Sequence, residues 1–213
     1  MSELTPQLVI YAYQQGYFPM ADSRDGKLQW YTADPRAVIP LDGLRIPRSL
    51  NQRLKRGCYR VTIDCAFSAV IQHCAQRHDK RPETWINQQI IEVYTQLHHM
   101  GIGHSVEAWD SQGNLVGGLY GLAMGGAFFG ESMFSRATDA SKVCLVKLVD
   151  HLNAQGFVLL DSQIGNDHMK QFGQLEIPLQ SYLEKLEAAL EIEPDWGVVP
   201  APPFDHKTVR QSR

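Results

Sequence analysis

The stretch from residue 117 to 168 constrains this chain more than any other. It reads GGLYGLAMGGAFFGESMFSRATDASKVCLVKLVDHLNAQGFVLLDSQIGNDH. Glycine is dense at its start, with nine glycines from Gly101 to Gly130. Glycine weakens a strand interior, so this density predicts bulges or the close approach of another backbone or a ligand. A polar cluster, Gly130-Glu131-Ser132-Met133-Phe134-Ser135, follows the glycine-rich strands. The run from Phe157 to Leu160 is apolar and ends abruptly in Asp161-Ser162-Gln163. Polar groups at the mouth of an otherwise apolar strand point to chemistry rather than packing.

The surrounding pattern sets the architecture. HSVEAWD, the turn Ser111-Gln112-Gly113-Asn114, LVGGLYGLA and GGAFFGESMF predict antiparallel strands joined by hairpins. Thr138 or Asp139 caps a helix with Val143, Val146, Val149 and Leu152 on its apolar face, and Gly156 ends it. A helical crossover makes the next strand, FVLLDSQ, parallel to its neighbour. Upstream, Thr5 and Pro6 start a helix with Leu8, Tyr11 and Ala12 on its apolar side, and Gly16 stops it. Ala37 to Pro40 is a strand after the breaker Asp34-Pro35-Arg36, and Pro47 opens a helix that Gly57 ends. Tyr59 to Ile63 alternates like a strand. Helices follow over residues 66–77 and 84–100, the second placing Ile86, Ile90, Val93, Tyr94 and Leu97 on one face and Trp85 in its first turn. Short helices are predicted over 166–172 and 179–190, and the proline-bearing tail from Pro194 reads as extended. This order is an α+β arrangement compatible with an acyltransferase fold of the GNAT type. Residues 1–36 read as a small N-terminal subdomain and 37–213 as the catalytic domain.

Bulk properties exclude some functions. The net charge of −3 gives no overall case for nucleic acid. Its distribution is uneven: five basic residues and no acid lie between Arg45 and Arg56, and six acids with one lysine between Glu176 and Asp195. Such asymmetry fits a polyanion landing on one face, and equally two solvated helix faces. The four cysteines and eight histidines show no metal-ligand spacing. No apolar run approaches the ~20 residues of a membrane span, and MSELTPQL is not a signal peptide. A cytosolic, reduced chain is the expectation.

The polar cluster is not a nucleophile elbow, because Phe134 stands where that turn needs glycine. The helix after it begins with Asp139, where a polyphosphate would sit. Glu131, Asp161 and Gln163 remain. Asp161 and Gln163 alternate along a strand and so share a side. A carboxylate bonded to an amide orients its oxygen toward an incoming amine; strand-end bonding to a turn fits the spacing equally.

These residues carry a resemblance. LVIYAYQQGYFP, WYTADPRAVIP, YRVTIDCAF, TWI, LVGGLYGLA, FFGESMFSRATDASK and LLDSQIGNDH together resemble the leucyl/phenylalanyl-tRNA–protein transferases along nearly the whole chain. The resemblance implies a GNAT-like catalytic domain behind a small N-terminal one, with no metal or nucleotide cofactor. It implies transfer of leucine or phenylalanine, with methionine a further candidate, from aminoacyl-tRNA to proteins starting with arginine or lysine. The product would be a degradation signal. A monomer is expected, with no membrane partner.

By motif, Asp161 and Gln163 match the family's catalytic pair, and Glu131 the glutamate near the reacting centre. Trp85 matches the tryptophan that stacks on the terminal adenosine. Leu119, Phe128, Met133, Leu145 and Leu160 match the side-chain pocket, and Arg48, Arg53, Lys55 and Arg56 match basic positions for the acceptor stem. Two departures stand out. Met20 replaces the tryptophan of an FPW motif, and Leu148 stands where some members carry phenylalanine. A CoA-dependent acyltransferase and a non-catalytic tRNA-end binding module are the rival readings.

Overall fold

The hairpins follow the glycine-rich sequence. In a computed structural model that describes residues 4–77 and 83–197, β5 (Gly103–Trp109), β6 (Leu115–Met124) and β7 (Ala127–Ser135) form an antiparallel meander. Asp110 fixes the first turn, its Oδ1 accepting from the backbone N–H groups of Gln112 and Asn114 at 2.9 Å each. β4 (Arg60–Ile63) pairs with β5. After β7 the chain crosses by helix α5 (Ala140–Gln155) and returns as β8 (Leu159–Gln163), parallel to β7. β3 (Arg36–Val38) and β9 (Leu175–Ile177) complete a seven-stranded sheet in the order β4-β5-β6-β7-β8-β3-β9. Antiparallel strands, a crossover helix and a parallel strand give the α+β order that the sequence predicts.

One feature of this sheet creates the site. β7 and β8 pair only from Ala127 opposite Leu159 to Phe129 opposite Asp161. Beyond that point β7 continues along β6 to Ser135, while β8 pairs with β3. The ladder between them opens at Gly130-Glu131 on one side and Ser162-Gln163 on the other.

Strand alternation sends neighbouring side chains to opposite faces, and each face has its own core. Tyr120 and Phe129 join one with α1 (Pro6–Gln14), α3 (Phe67–Cys74), α4 (Gln88–His99) and α7 (Leu179–Leu190). Leu119, Phe128 and Leu160 join the other with α5 and Leu50 of α2 (Arg48–Lys55). The short helix α6 (Asp167–Lys170) follows β8. A separate hairpin, β1 (Phe18–Ala21) with β2 (Leu28–Tyr31), stands near the N-terminus. Among the described residues no helix is long and apolar enough to cross a membrane.

Several local predictions need correction. The apolar face of α1 is Val9, Ala12 and Tyr13, while Tyr11 is 62% exposed. Helix α4 starts after Asn87, whose Oδ1 accepts from Ile90 N at 2.9 Å, so Trp85 precedes the helix. Asp139 precedes α5 in a left-handed conformation and makes no capping bond; its carboxylate meets Arg53 and Lys142 instead. The strand glycines Gly103, Gly117, Gly118 and Gly121 answer to close approach, as the sequence predicts: a Cβ at Gly117 would lie 2.5 Å from that of Ala140, where α5 crosses β6. A register shift falls at Tyr120/Gly121. The extended tail beyond Gly197 lies outside the described residues.

Candidate active site

At the end of β8, Asp161 is fully buried and fully engaged. Arg36 donates to it twice, Nε to Oδ1 at 3.0 Å and Nη2 to Oδ2 at 2.7 Å. Tyr182 donates to Oδ2 at 2.8 Å, and the backbone N–H of Gln163 donates to Oδ1 at 2.8 Å. Burial, with the Asp161 charge adding to it, pushes the Tyr182 phenol well above its ordinary value. The expected bond from carboxylate to side-chain amide is therefore replaced by one to the backbone amide. That bond holds Gln163 at φ 55, a left-handed conformation rare for a residue with a side chain. The Gln163 side chain is almost fully buried, and its Nε2 has no hydrogen-bond partner. A buried donor left unpaired costs free energy.

Across the opening, Glu131 of β7 accepts from Tyr13 of α1 at 2.6 Å and from Tyr94 of α4 at 3.4 Å. The two phenol oxygens are 2.7 Å apart. Burial is the main cause that pushes the Glu131 carboxyl up to about 8; the Asp161 charge adds to it, and the tyrosine hydrogen bonds and Arg36 oppose it. Burial also raises both phenols.

Two cavities meet at this opening. One, of about 270 Å³, is walled by Leu119, Met133, Leu145, Leu148, Leu160 and Met169 among others. The second, of about 210 Å³, lies between Phe18, Pro19, Met20, Trp85 and Ile164. Glu131, Ser162, Gln163 and Asn166 border both. An apolar chamber and an aromatic-edged one thus share a wall of polar groups. Such a wall suits a molecule whose two ends differ and whose reactive bond lies between them. Among the described residues no three His, Cys, Asp or Glu side chains converge to hold a metal ion.

Comparison with known families decides the kinship. The family model described as leucyl/phenylalanyl-tRNA protein transferase matches residues 38–187, and that of its N-terminal domain matches residues 2–34. The chain belongs to this transferase family. A relative from Rubrobacter xylanophilus is 50% identical over 190 residues, covering 89% of this chain and 97% of its own. One from Salinibacter ruber is 50% identical over 194 residues, covering 91% and 84%. Both bear the name leucyl/phenylalanyl-tRNA–protein transferase. Among solved structures, L-PGS from Bacillus licheniformis is similar with a TM-score of 0.44 and 12% identity. That match covers 85% of this chain and 62% of the other.

The residues matched to transferase motifs divide by position. Of the matched pocket positions, Leu119, Met133, Leu145 and Leu160 line the first cavity, together with the departing Leu148; the departing Met20 and the matched Trp85 line the second. Ala21 N donates to Trp85 O at 3.1 Å, which keeps these two neighbours together. Phe128 lies outside the lining. Its ring is fully buried and stacks near Trp196 at 5.6 Å between centroids. On α2, Arg48, Lys55 and Arg56 are exposed, while Arg53 is drawn to Asp139 at 3.3 Å.

Arg36, Tyr182, Tyr13 and Tyr94 are the site residues that sequence reasoning missed. A cation inside WYTADPRAVIP, next to an apolar strand, was the available signal for Arg36.

Proposed function

We propose that this transferase moves leucine or phenylalanine, with methionine also admitted, from aminoacyl-tRNA to the α-amino group of proteins beginning with arginine or lysine. The observation that carries the reading is the pair of cavities with one polar wall. The aminoacyl side chain fills the apolar chamber, and the terminal adenosine enters the second, between Met20 and Trp85. The ester then lies at the wall beside Gln163, whose unpartnered Nε2 meets its carbonyl oxygen and stabilises the negative charge that grows there. Asp161 acts through Gln163, holding its backbone in the conformation that aims the side chain. Residues 1–36 act as a subdomain that supplies one wall of the adenosine chamber, through Phe18, Pro19 and Met20.

The chemistry needs no added energy source, because an aminoacyl ester is already activated. Holding amine and ester together contributes about 7–11 kcal/mol. An apolar chamber discriminates by bulk, at about 1–3 kcal/mol per methylene. Arg48, Lys55 and Arg56 hold the acceptor stem through its phosphates, and the protein works as a cytosolic monomer. The test is to mix the protein with labelled leucyl- and phenylalanyl-tRNA and a peptide starting with arginine. Label should appear on the peptide's α-nitrogen; label that stays on tRNA, or passes to water alone, would overturn the reading.

A further inference from the structure

Glu131 occupies a position that binding alone does not explain. It borders both cavities, so it faces the place where amine and ester meet. A residue needed only to hold a cation would gain from staying ionised, yet Glu131 is walled by groups that handle protons. Tyr13 from α1 bonds Oε1 at 2.6 Å, Tyr94 from α4 bonds Oε2 at 3.4 Å, and the phenols bond each other. Tyr120 of β6 lines the cavity and packs edge-on against Tyr94, with ring centroids 5.9 Å apart. From the neighbouring strands, the Asp161 charge raises its pKa and that of Arg36 lowers it, the two being paired with each other.

We infer that Glu131 is the proton shuttle of the transfer reaction, and that Tyr13, reaching in from the N-terminal helix, is its positioning residue. The inference rests on the aminoacyl transfer proposed above. The lone pair of the neutral acceptor amine forms the N–C bond to the ester carbonyl carbon. As it does so, the Glu131 carboxylate takes one proton from that nitrogen. The C–O bond to the ribose then breaks, and the departing oxygen keeps the electron pair and takes the proton from Glu131. One N–H and one C–O bond are exchanged for one N–C and one O–H bond, without oxidant or reductant.

Matching supports this role. A proton carrier works best when its pKa lies near that of its partner and near the working pH. Glu131, pushed up to about 8 by burial, lies beside the ~7.7–8.0 of a protein α-amine. The side-chain amide of Gln163 is a far weaker base, and its Nε2 is a donor. It complements a shuttle rather than replacing one.

The experiment is the pH profile of the single-turnover transfer rate, with the enzyme saturated by leucyl-tRNA and an Arg-starting peptide. Two groups must be deprotonated before attack, the acceptor amine at ~7.7–8.0 and Glu131 at about 8, so for the wild type the rate should climb below pH ~7.5 with a log–log slope of about 2. Glu131→Gln should keep only the limb of the amine, with a slope of about 1, and fall by at least about 100-fold. Tyr13→Phe removes a hydrogen bond that favours the carboxylate, so its limb should move to higher pH. A merely structural tyrosine would lower the rate at every pH and leave the limb in place. An unmoved Glu131 limb in Tyr13→Phe, or a slope of about 2 retained by Glu131→Gln, overturns the shuttle. Should the wild type transfer no leucine at any pH, the functional reading above is what fails.

Discussion

Arg36 and Asp161, 125 residues apart in the chain, meet through two hydrogen bonds with both side chains fully buried. The guanidinium also donates from Nη1 to Gly16 O at 2.9 Å. It lies between the rings of Phe18 and Tyr182, 4.8 and 4.4 Å from their centroids. A single cation therefore ties β3 and β8 to α7 and to the approach to β1. It also offsets the charge of the carboxylate that shapes Gln163.

Breaking this pair should cost stability as well as rate. Removing one member of a buried ion pair leaves the other uncompensated, at about 3–5 kcal/mol. For a chain of this length that is roughly 6–20 °C in Tm. Arg36→Ala and Asp161→Asn should both melt early and transfer slowly. The strand-mouth position of Asp161 alone suggests a variant that folds normally, so the melting curve separates the two views. An Asp161→Asn protein with wild-type Tm would show that the pair carries little of the fold.

What the sequence made legible here was local. Periodicity and glycine density marked the meander, the crossover helix and β8, because each reports on neighbours within a few residues. The lining positions Leu119, Leu145 and Leu160 were readable through family motifs. Arg36 was not, since its partner lies in another strand and nothing nearby records the pairing. Tyr13 was missed for a different reason: α1 carries apolar residues around much of its circumference, and Tyr11 and Tyr13 compete for the inward face. Only packing against Phe129, at 5.0 Å between ring centroids, and the bond to Glu131 settle the phase.

The raised pKa of Glu131 also predicts how stability varies with pH. Its folded value of about 8 lies above the ~4.3 of an unfolded glutamate. Between those values the native state holds more protons than the unfolded one, so stability falls as pH rises. The contribution is fully present below pH ~4.3 and is lost on approaching 8. Glu131→Gln never ionises and should lack this decline. Melting both proteins at pH 5.5 and 8.5 should show the variant gaining on the wild type at the higher pH. A constant difference in Tm would place the Glu131 pKa in the ordinary range.

Leu148→Phe should narrow the choice of amino acid. Leu148 lines the apolar chamber of about 270 Å³, so a phenyl ring there takes up space needed by a bulky substrate. Transfer of phenylalanine should fall relative to leucine by roughly 10–200-fold in kcat/KM. Equal losses for both amino acids would mean that the ring points away from the chamber or disturbs α5.

Met20→Trp should tighten the adenosine end. Met20 and Trp85 border the same cavity, and a second aromatic there would allow the base to be sandwiched. Base–aromatic stacking is worth about 1–3 kcal/mol per base. The KM for leucyl-tRNA should drop, while the rate at saturation changes little because the catalytic wall is untouched. An unchanged KM would place the adenosine elsewhere.

The basic helix should act on phosphate and not on base sequence. Arg48, Lys55 and Arg56 of α2 and its C-cap are exposed, with no aromatic residue interleaved from Arg45 to Arg56. Arg53 differs, since its guanidinium is drawn to Asp139 at 3.3 Å, close to the start of α5. Neutralising Arg48, Lys55 and Arg56 together should weaken leucyl-, phenylalanyl- and methionyl-tRNA by a similar factor. It should also flatten the salt dependence of binding, since three fewer phosphates release their counterions, a change of about 2–3 in the log–log slope. Arg53→Gln should behave otherwise, lowering Tm more than it changes the salt slope. Transfer from an aminoacyl-adenosine donor, which lacks the acceptor stem, should hardly respond to the triple change. Equal loss with that small donor and with whole tRNA would mean that these side chains support the fold of α2 against α5 rather than the nucleic acid.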